Sequence, residues 1–224
     1  TYTRNKFDIA GFSLGVVETK KLLKKSNIKE NDIIMAIPSS GLHSNGYSMV
    51  RNILDRNNIN INKNNFLKRE LIKPTKIYTK EILLLNEKNL FLKQELIKPT
   101  KIYVKEILDL TNKNFLNGCA NITGGGIIDN IKRIIPDKLS AEIDLNKIKP
   151  LKIFKWLKQR NISDKEMLKT FNCGVGFCLI INSKNINKID KYFSKEYKPY
   201  VIGKVCTGKE KVNLNGYIDW HQQS

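Results

Sequence analysis

Residues 39–48, Ser39-Ser40-Gly41-Leu42-His43-Ser44-Asn45-Gly46-Tyr47-Ser48, gather the side chains best suited to chemistry in this chain. His43 carries an imidazole, the side chain whose ordinary pKa permits proton transfer near neutrality. Ser40, Ser44 and Asn45 offer short hydrogen-bonding groups, and Gly41 and Gly46 let the backbone come close to a ligand. The loop follows an apolar run, Asp32-Ile33-Ile34-Met35-Ala36-Ile37, and leads into Met49-Val50-Arg51-Asn52-Ile53-Leu54. That order predicts strand, polar loop and then a helix from Ser44 to about Arg56. Ser44 is placed to cap the helix by accepting an N–H of its first turn. Unpaired N–H groups at such a helix start suit phosphate or another anion. A capped strand-to-helix turn that binds nothing has the same sequence, so the loop alone leaves both readings open.

A second candidate is Thr123-Gly124-Gly125-Gly126, ahead of Ile127-Ile128-Asp129-Asn130-Ile131 and a closing Pro136. Three successive glycines carry an entropic cost that calls for positive φ angles or contact with a ligand. A surface hinge is the alternative. A third small-residue turn, Thr170-Phe171-Asn172-Cys173-Gly174-Val175-Gly176, feeds an apolar strand from Phe177 to Ile181. Cys119, Cys173, Cys178 and Cys206 have no Cys-x-x-Cys spacing and only two histidines beside them, which excludes a zinc site and disfavours a disulfide framework. Cys173 and Cys178 read as packed small residues. No metal-ligating cluster stands out.

Several elements must position these loops. At 224 residues with 41% hydrophobic content, the chain can bury one sizeable core or two small ones. The predicted strands are 7–18, 33–37, 141–144, 177–181 and 200–205. Helices are expected at 151–160, with Phe154, Trp156 and Leu157 inward, and at 186–195. Residues 20–29 read as a charged connector; the 218–224 tail carries no motif, and His221 reads as a solvated terminal residue. Residues 66–90 recur at 91–115 with 19 identities and six differences, each copy a Pro-Thr-x-Ile-Tyr motif followed by a helical pattern. Two copies do not make a solenoid; near-identity at surface positions as well points to a tandem duplication. Either copy can take the single helix position. Asp109 in place of Leu84 makes the second copy the more amphipathic.

The net charge of +19 raises nucleic acid as a partner. Against it, only six of the 40 basic residues are Arg, and the lysines are spread among Asn and Ile along the whole length. A/T-rich codons produce that composition without selection for a polyanion. No apolar run is long enough to span a bilayer, and no signal peptide opens the sequence. A cytoplasmic setting with no nucleic-acid and no membrane partner is expected.

Five motifs in order carry a resemblance: Phe7-Asp8-Ile9-Ala10-Gly11-Phe12, residues 39–48, Pro-Thr-x-Ile-Tyr, residues 123–126 and residues 170–176. Together they resemble the C-terminal domain of the phosphoribosylformylglycinamidine cyclo-ligase (aminoimidazole ribonucleotide synthetase) family. The resemblance spans residues 1–224 apart from the duplicated block. It implies an α/β (mixed α+β) domain in which a mixed sheet is covered by helices. It further implies ATP-dependent closure of formylglycinamidine ribonucleotide to aminoimidazole ribonucleotide in purine biosynthesis, with Mg2+, and homodimers built mainly through the N-terminal half. His43 would be catalytic. Ser40, Gly41, Ser44, Asn45, Gly46, Thr123, Gly124, Gly125, Gly126 and Asn172 would bind substrate or nucleotide.

Three departures qualify this. The family's N-terminal half, with its Asp-bearing nucleotide and magnesium motifs, has no counterpart in the sequence. Asn121 stands where the family pattern leads one to expect His. The duplication inserts chain between the two loops without removing either. The expectation is therefore an incomplete cyclo-ligase whose activity needs the other half. Other ATP-dependent synthetases of the same superfamily, or an inactive remnant, are the alternatives.

Overall fold

The structure, a computed structural model, describes residues 12, 14–56 and 100–221. These fall into two units. One holds Phe12, residues 14–17 and helix α1 (Tyr47–Arg56); the other holds Glu18–Gly46 and residues 100–221. In α1, Val50, Ile53 and Leu54 recur at helical spacing and are buried.

The second unit is built on one six-stranded sheet. Strand β1 (Ile33–Pro38) lies in its interior between β4 (Val175–Ile181) and β5 (Tyr200–Thr207), antiparallel to both. The order is β2-β4-β1-β5-β3-β6, with β2 at Gly118–Asn121, β3 at Leu139–Asp144 and β6 at Val212–Asn215. β3 and β6 run parallel and the other pairs antiparallel, so the sheet is mixed, as expected.

The apolar run in β1 is unbroken because both faces of the strand are covered. Met35 and Ile37 share one face with Leu179 and Ile181 and pack with Tyr103, Leu110, Leu116 and Ile189. Leu110 lies in α2 (Val104–Asn112), while α3 (Gly126–Lys132), α4 (Lys152–Lys158) and α5 (Asp164–Thr170) precede Ile189 in α6 (Ile186–Ile189). Ile34, Ala36, Cys178 and Ile180 alternate with the first set and are buried as well. At Pro38, which has no N–H to give the ladder, the β1–β4 register shifts and the chain enters the 39–46 loop.

Some expectations shift. The helix after the loop starts at Tyr47, so Ser44 lies three residues outside it, exposed, and is not its cap. Residues 14–18 form no strand, and most of the 7–11 motif lies outside the described residues. Helix α6 stops at Ile189 and continues as a 3-10 turn, Asp190–Tyr192, since its Asn and Ile residues are weak helix formers. Trp156 is half-buried, with the Arg160 guanidinium 4.4 Å above its ring. Of the duplicated blocks, the second supplies α2 from residues 100–115; the first lies outside the described residues. Among the described residues no helix is long and apolar enough to cross a membrane.

Candidate functional site

The 39–46 loop is held by short-range and long-range bonds at once. His43 adopts φ 56°, a left-handed conformation that costs an L-residue about 1–2 kcal/mol. In return its ring folds back so that Nε2 accepts the Ser40 N–H at 3.1 Å. An accepting Nε2 places the proton of the neutral ring on Nδ1. Burial, with the residue only 7% exposed, lowers the His43 pKa to about 4. At neutral pH the ring is therefore uncharged.

The second-copy segment closes over this loop. The Lys101 N–H donates to Ser40 Oγ at 2.9 Å, and Tyr103 Oη donates to the Pro38 carbonyl at 3.0 Å. The Tyr103 ring lies 6.3 Å from that of His43 and 5.3 Å from that of Phe177. Gly176 makes room for both partners, because a Cβ there would collide with Tyr103 Oη and crowd His43 Cε1.

The 170–176 turn binds the loop from another side. Asn172, buried, donates through Nδ2 to the Gly41 carbonyl and accepts the Gly174 N–H at Oδ1, both at 2.9 Å. The Ser39 N–H donates to the Gly174 carbonyl at 2.9 Å. The Phe171 ring occupies the space a side chain at Gly46 would need. Ser39 Oγ is buried without a hydrogen-bond partner among the described residues, the kind of group that a ligand or ordered water satisfies.

The glycine loop joins the same cluster. The Ile122 N–H donates to the Gly176 carbonyl at 3.0 Å. Asn130, buried in α3, donates to the Gly126 and Thr123 carbonyls and accepts from Thr123 Oγ1 at 3.1 Å. Gly125 and Gly126 take φ of 92° and 62°, and a Cβ on Gly126 would strike the Leu168 carbonyl oxygen. These glycines are required by backbone shape and close packing, which removes the surface-hinge reading. Gly124 is exposed, and a Cβ there would lie 3.5 Å from Asn45 Oδ1, so the tips of the two loops are adjacent.

The structure thus brings Ser40, Gly41, His43, Asn45, Gly46, Thr123, Gly124, Gly125, Gly126 and Asn172 into one neighbourhood through hydrogen bonds and close packing. Ser44 is in the loop and exposed. Asn121 is exposed at the end of β2, one residue before Ile122. Sequence reasoning missed Lys101, Tyr103 and Phe171. The recurring Tyr of Pro-Thr-x-Ile-Tyr was the available signal for the first two. Among the described residues no group of three or more His, Cys, Asp or Glu could hold a metal ion. Cys173 and Cys178 are fully buried and their thiols are pushed up by desolvation, which fits packing and not nucleophilic chemistry.

Residues 86–215 match the family model for AIR synthase related protein, C-terminal domain. Phosphoribosylformylglycinamidine cyclo-ligase of Carboxydothermus hydrogenoformans is 40% identical over 222 residues, covering 96% of this chain and 57% of the relative. The enzyme of that name from Ligilactobacillus salivarius is 39% identical over 215 residues, 90% of this chain and 54% of the relative. The chain therefore spans little more than half the length of the curated relatives it matches. Thiamine-monophosphate kinase from Stenotrophomonas maltophilia shares the fold at 14% identity, with a TM-score of 0.53 over 91% of this chain and 56% of that one. The resemblance carried by the motifs holds, and with more than half of its residues under the model the chain belongs to the AIR synthase related, C-terminal domain family.

Proposed function

We propose that this chain is the substrate-side part of a phosphoribosylformylglycinamidine cyclo-ligase. In that reaction ATP activates the formyl oxygen of formylglycinamidine ribonucleotide, an amidine nitrogen closes the ring, and ADP and phosphate leave. The observation that carries this reading is the convergence of the 39–46, 123–126 and 170–176 segments into one cluster. Their small residues and adjacent loop tips suit the close approach of a ligand whose anionic oxygens gain charge during phosphoryl transfer.

Within this reading His43 serves as a hydrogen-bonding and loop-fixing group. Its Nε2 is already committed to Ser40 and its low pKa disfavours the cation, so proton transfer through Nε2 would first require the loop to open. Asn45, Gly124 and Gly125 at the loop tips and Asn172 beneath them are the substrate- and nucleotide-binding candidates. We place the Mg2+ ligands mainly in the part of the relatives that this chain does not span, where the family's Asp-bearing motifs are expected. That part would also provide most of a homodimer interface. A cytoplasmic location and the absence of a nucleic-acid partner belong to the same proposal.

The test is reconstitution. The purified chain alone should not convert formylglycinamidine ribonucleotide with ATP. Adding the unmatched N-terminal portion of the Carboxydothermus hydrogenoformans relative as a separate polypeptide should restore ADP release coupled to ring closure. Turnover by the chain alone would show that the site needs no second part. If neither arrangement turns over but nucleotide still binds, Asn121→His becomes the next variant to assay.

A further inference from the structure

Asparagine is a chemically labile side chain, and most so before glycine, which has no side chain to shield its own backbone nitrogen. The sequence holds three such steps: Asn45-Gly46, Asn117-Gly118 and Asn215-Gly216. The fold treats them differently. Asn117 is held twice, its Nδ2 donating to the Asp32 carboxylate at 2.8 Å and its N–H to the Ile180 carbonyl at 2.8 Å. Gly118, which opens β2, is buried, paired with Ile180 and packed against Ile28. Asn215 is exposed, but it closes β6 opposite Asp144 of β3 and is held in the sheet.

Asn45 has neither restraint. It lies outside every strand and helix, is partly exposed, and its side-chain amide makes no hydrogen bond among the described residues. The chain turns sharply around it, with φ of 56° at His43 and 81° at Gly46. A turned segment lets the side-chain carbonyl carbon meet the next backbone nitrogen, whereas a strand pairing holds the backbone extended.

We propose that Asn45 is a self-modification site, deamidating through Gly46 ahead of the other two Asn-Gly steps. The Gly46 nitrogen gives up its proton and attacks Asn45 Cγ. The new C–N bond closes a cyclic imide, and the side-chain nitrogen takes a proton and leaves as ammonia. Water then opens the imide at either carbonyl, leaving an ordinary aspartate or an isoaspartyl linkage whose main chain runs through the side chain. Both products put a carboxylate where Asn45 Oδ1 lies beside Gly124, at the meeting of the two loop tips. The isoaspartyl form also lengthens a loop that Ser39 and Gly41 tie to the 172–174 turn. Fixed negative charge there opposes an anionic ligand. That consequence rests on the function proposed above; the conversion itself does not.

The experiment ages the full chain in mildly alkaline buffer and follows each Asn-Gly peptide by mass spectrometry. Asn45 and Asn215 share the local sequence Asn-Gly-Tyr, so any difference between them comes from the fold. Asn45 should convert several times faster than Asn215, and Asn117 should stay unmodified over the same period. In urea that gap should close, with Asn45 and Asn215 converting alike and Asn117 no longer protected. Asn45→Ser, which has no amide to lose, should remove the first species formed. Conversion at Asn117 or Asn215 before Asn45, or an intact Asn45 throughout, would overturn the proposal. So would the same gap in urea, which would take its origin away from the folded turn.

Discussion

At His43 a left-handed backbone, a buried ring and an accepting Nε2 form one device that fixes the loop as long as the imidazole is neutral. Its pKa is about 4 in the fold against 6.5 for an unperturbed ring, so the unfolded chain binds the extra proton first. The stabilisation is complete above about pH 6.5 and is lost as pH falls towards 4, on the order of 3 kcal/mol in all. The carboxylates with shifted values start from 4.5 or 3.8 and are lowered further, which leaves the window between pH 6.5 and 5 to the histidine. His43→Asn, whose side chain tolerates a positive φ, should flatten the thermal midpoint in that window while wild type declines. A decline unchanged in the variant would remove His43 from this role. Gly126 gives a complementary test. A methyl there meets both an unfavourable φ and the Leu168 carbonyl, so Gly126→Ala should cost about 2–4 kcal/mol in urea unfolding. Gly124→Ala, at an exposed position with ordinary contact distances, should cost much less.

Among the elements, α5 is the one whose placement reaches the site although no site residue lies in it. Ser163 Oγ accepts the Glu166 N–H at 3.2 Å and starts the helix, and Trp220 Nε1 donates to Asp164 at 2.8 Å and ties the end of the chain to it. The helix then delivers the Leu168 carbonyl against Gly126 and leads into Phe171 over Gly46. Ser163→Ala should destabilise by about 1 kcal/mol, measurable as a shift in denaturation midpoint at constant slope. The Ser-x-x-Glu pattern that marks this start was present in the sequence, yet α5 was not read from it, because the segment is short and only Met167 and Leu168 bury their side chains. Strand β2 was illegible for a different reason. Gly-Cys-Ala-Asn has little strand propensity and is extended because β4 pairs with it. The long apolar runs of β1 and β4 were legible, since burial on two faces leaves an unbroken hydrophobic signal. The three site motifs could be read as loops. Their meeting could not, because the bonds joining them link residues as far apart as Gly41 and Asn172.

For the molecule as a whole, the net charge of +19 is the property that bears on partners. Several described lysines are engaged locally: Lys101 with Glu106 at 2.9 Å, Lys158 with Asp164 at 2.8 Å and Lys211 with Asp137 at 2.6 Å. Others lie over aromatic rings, as Lys149 does over Tyr200 at 4.7 Å from its centre. Such lysines are distributed along helices, strands and turns. A nucleic-acid site, in contrast, concentrates cations with flat, bidentate Arg groups, and binding that neutralises several phosphates falls steeply with salt. Diffuse positive charge gives only weak attraction, screened within about 8 Å at physiological ionic strength. A fluorescence titration with single-stranded and duplex oligonucleotides at about 0.15 M salt should therefore give no saturable complex at micromolar protein. A phosphorylated nucleotide carries the same kind of charge on a far smaller ligand, and it is the ligand proposed for the loop cluster. Saturable oligonucleotide binding with a log–log salt slope of several units would assign the charge to a polyanion and leave the loops without their proposed ligand.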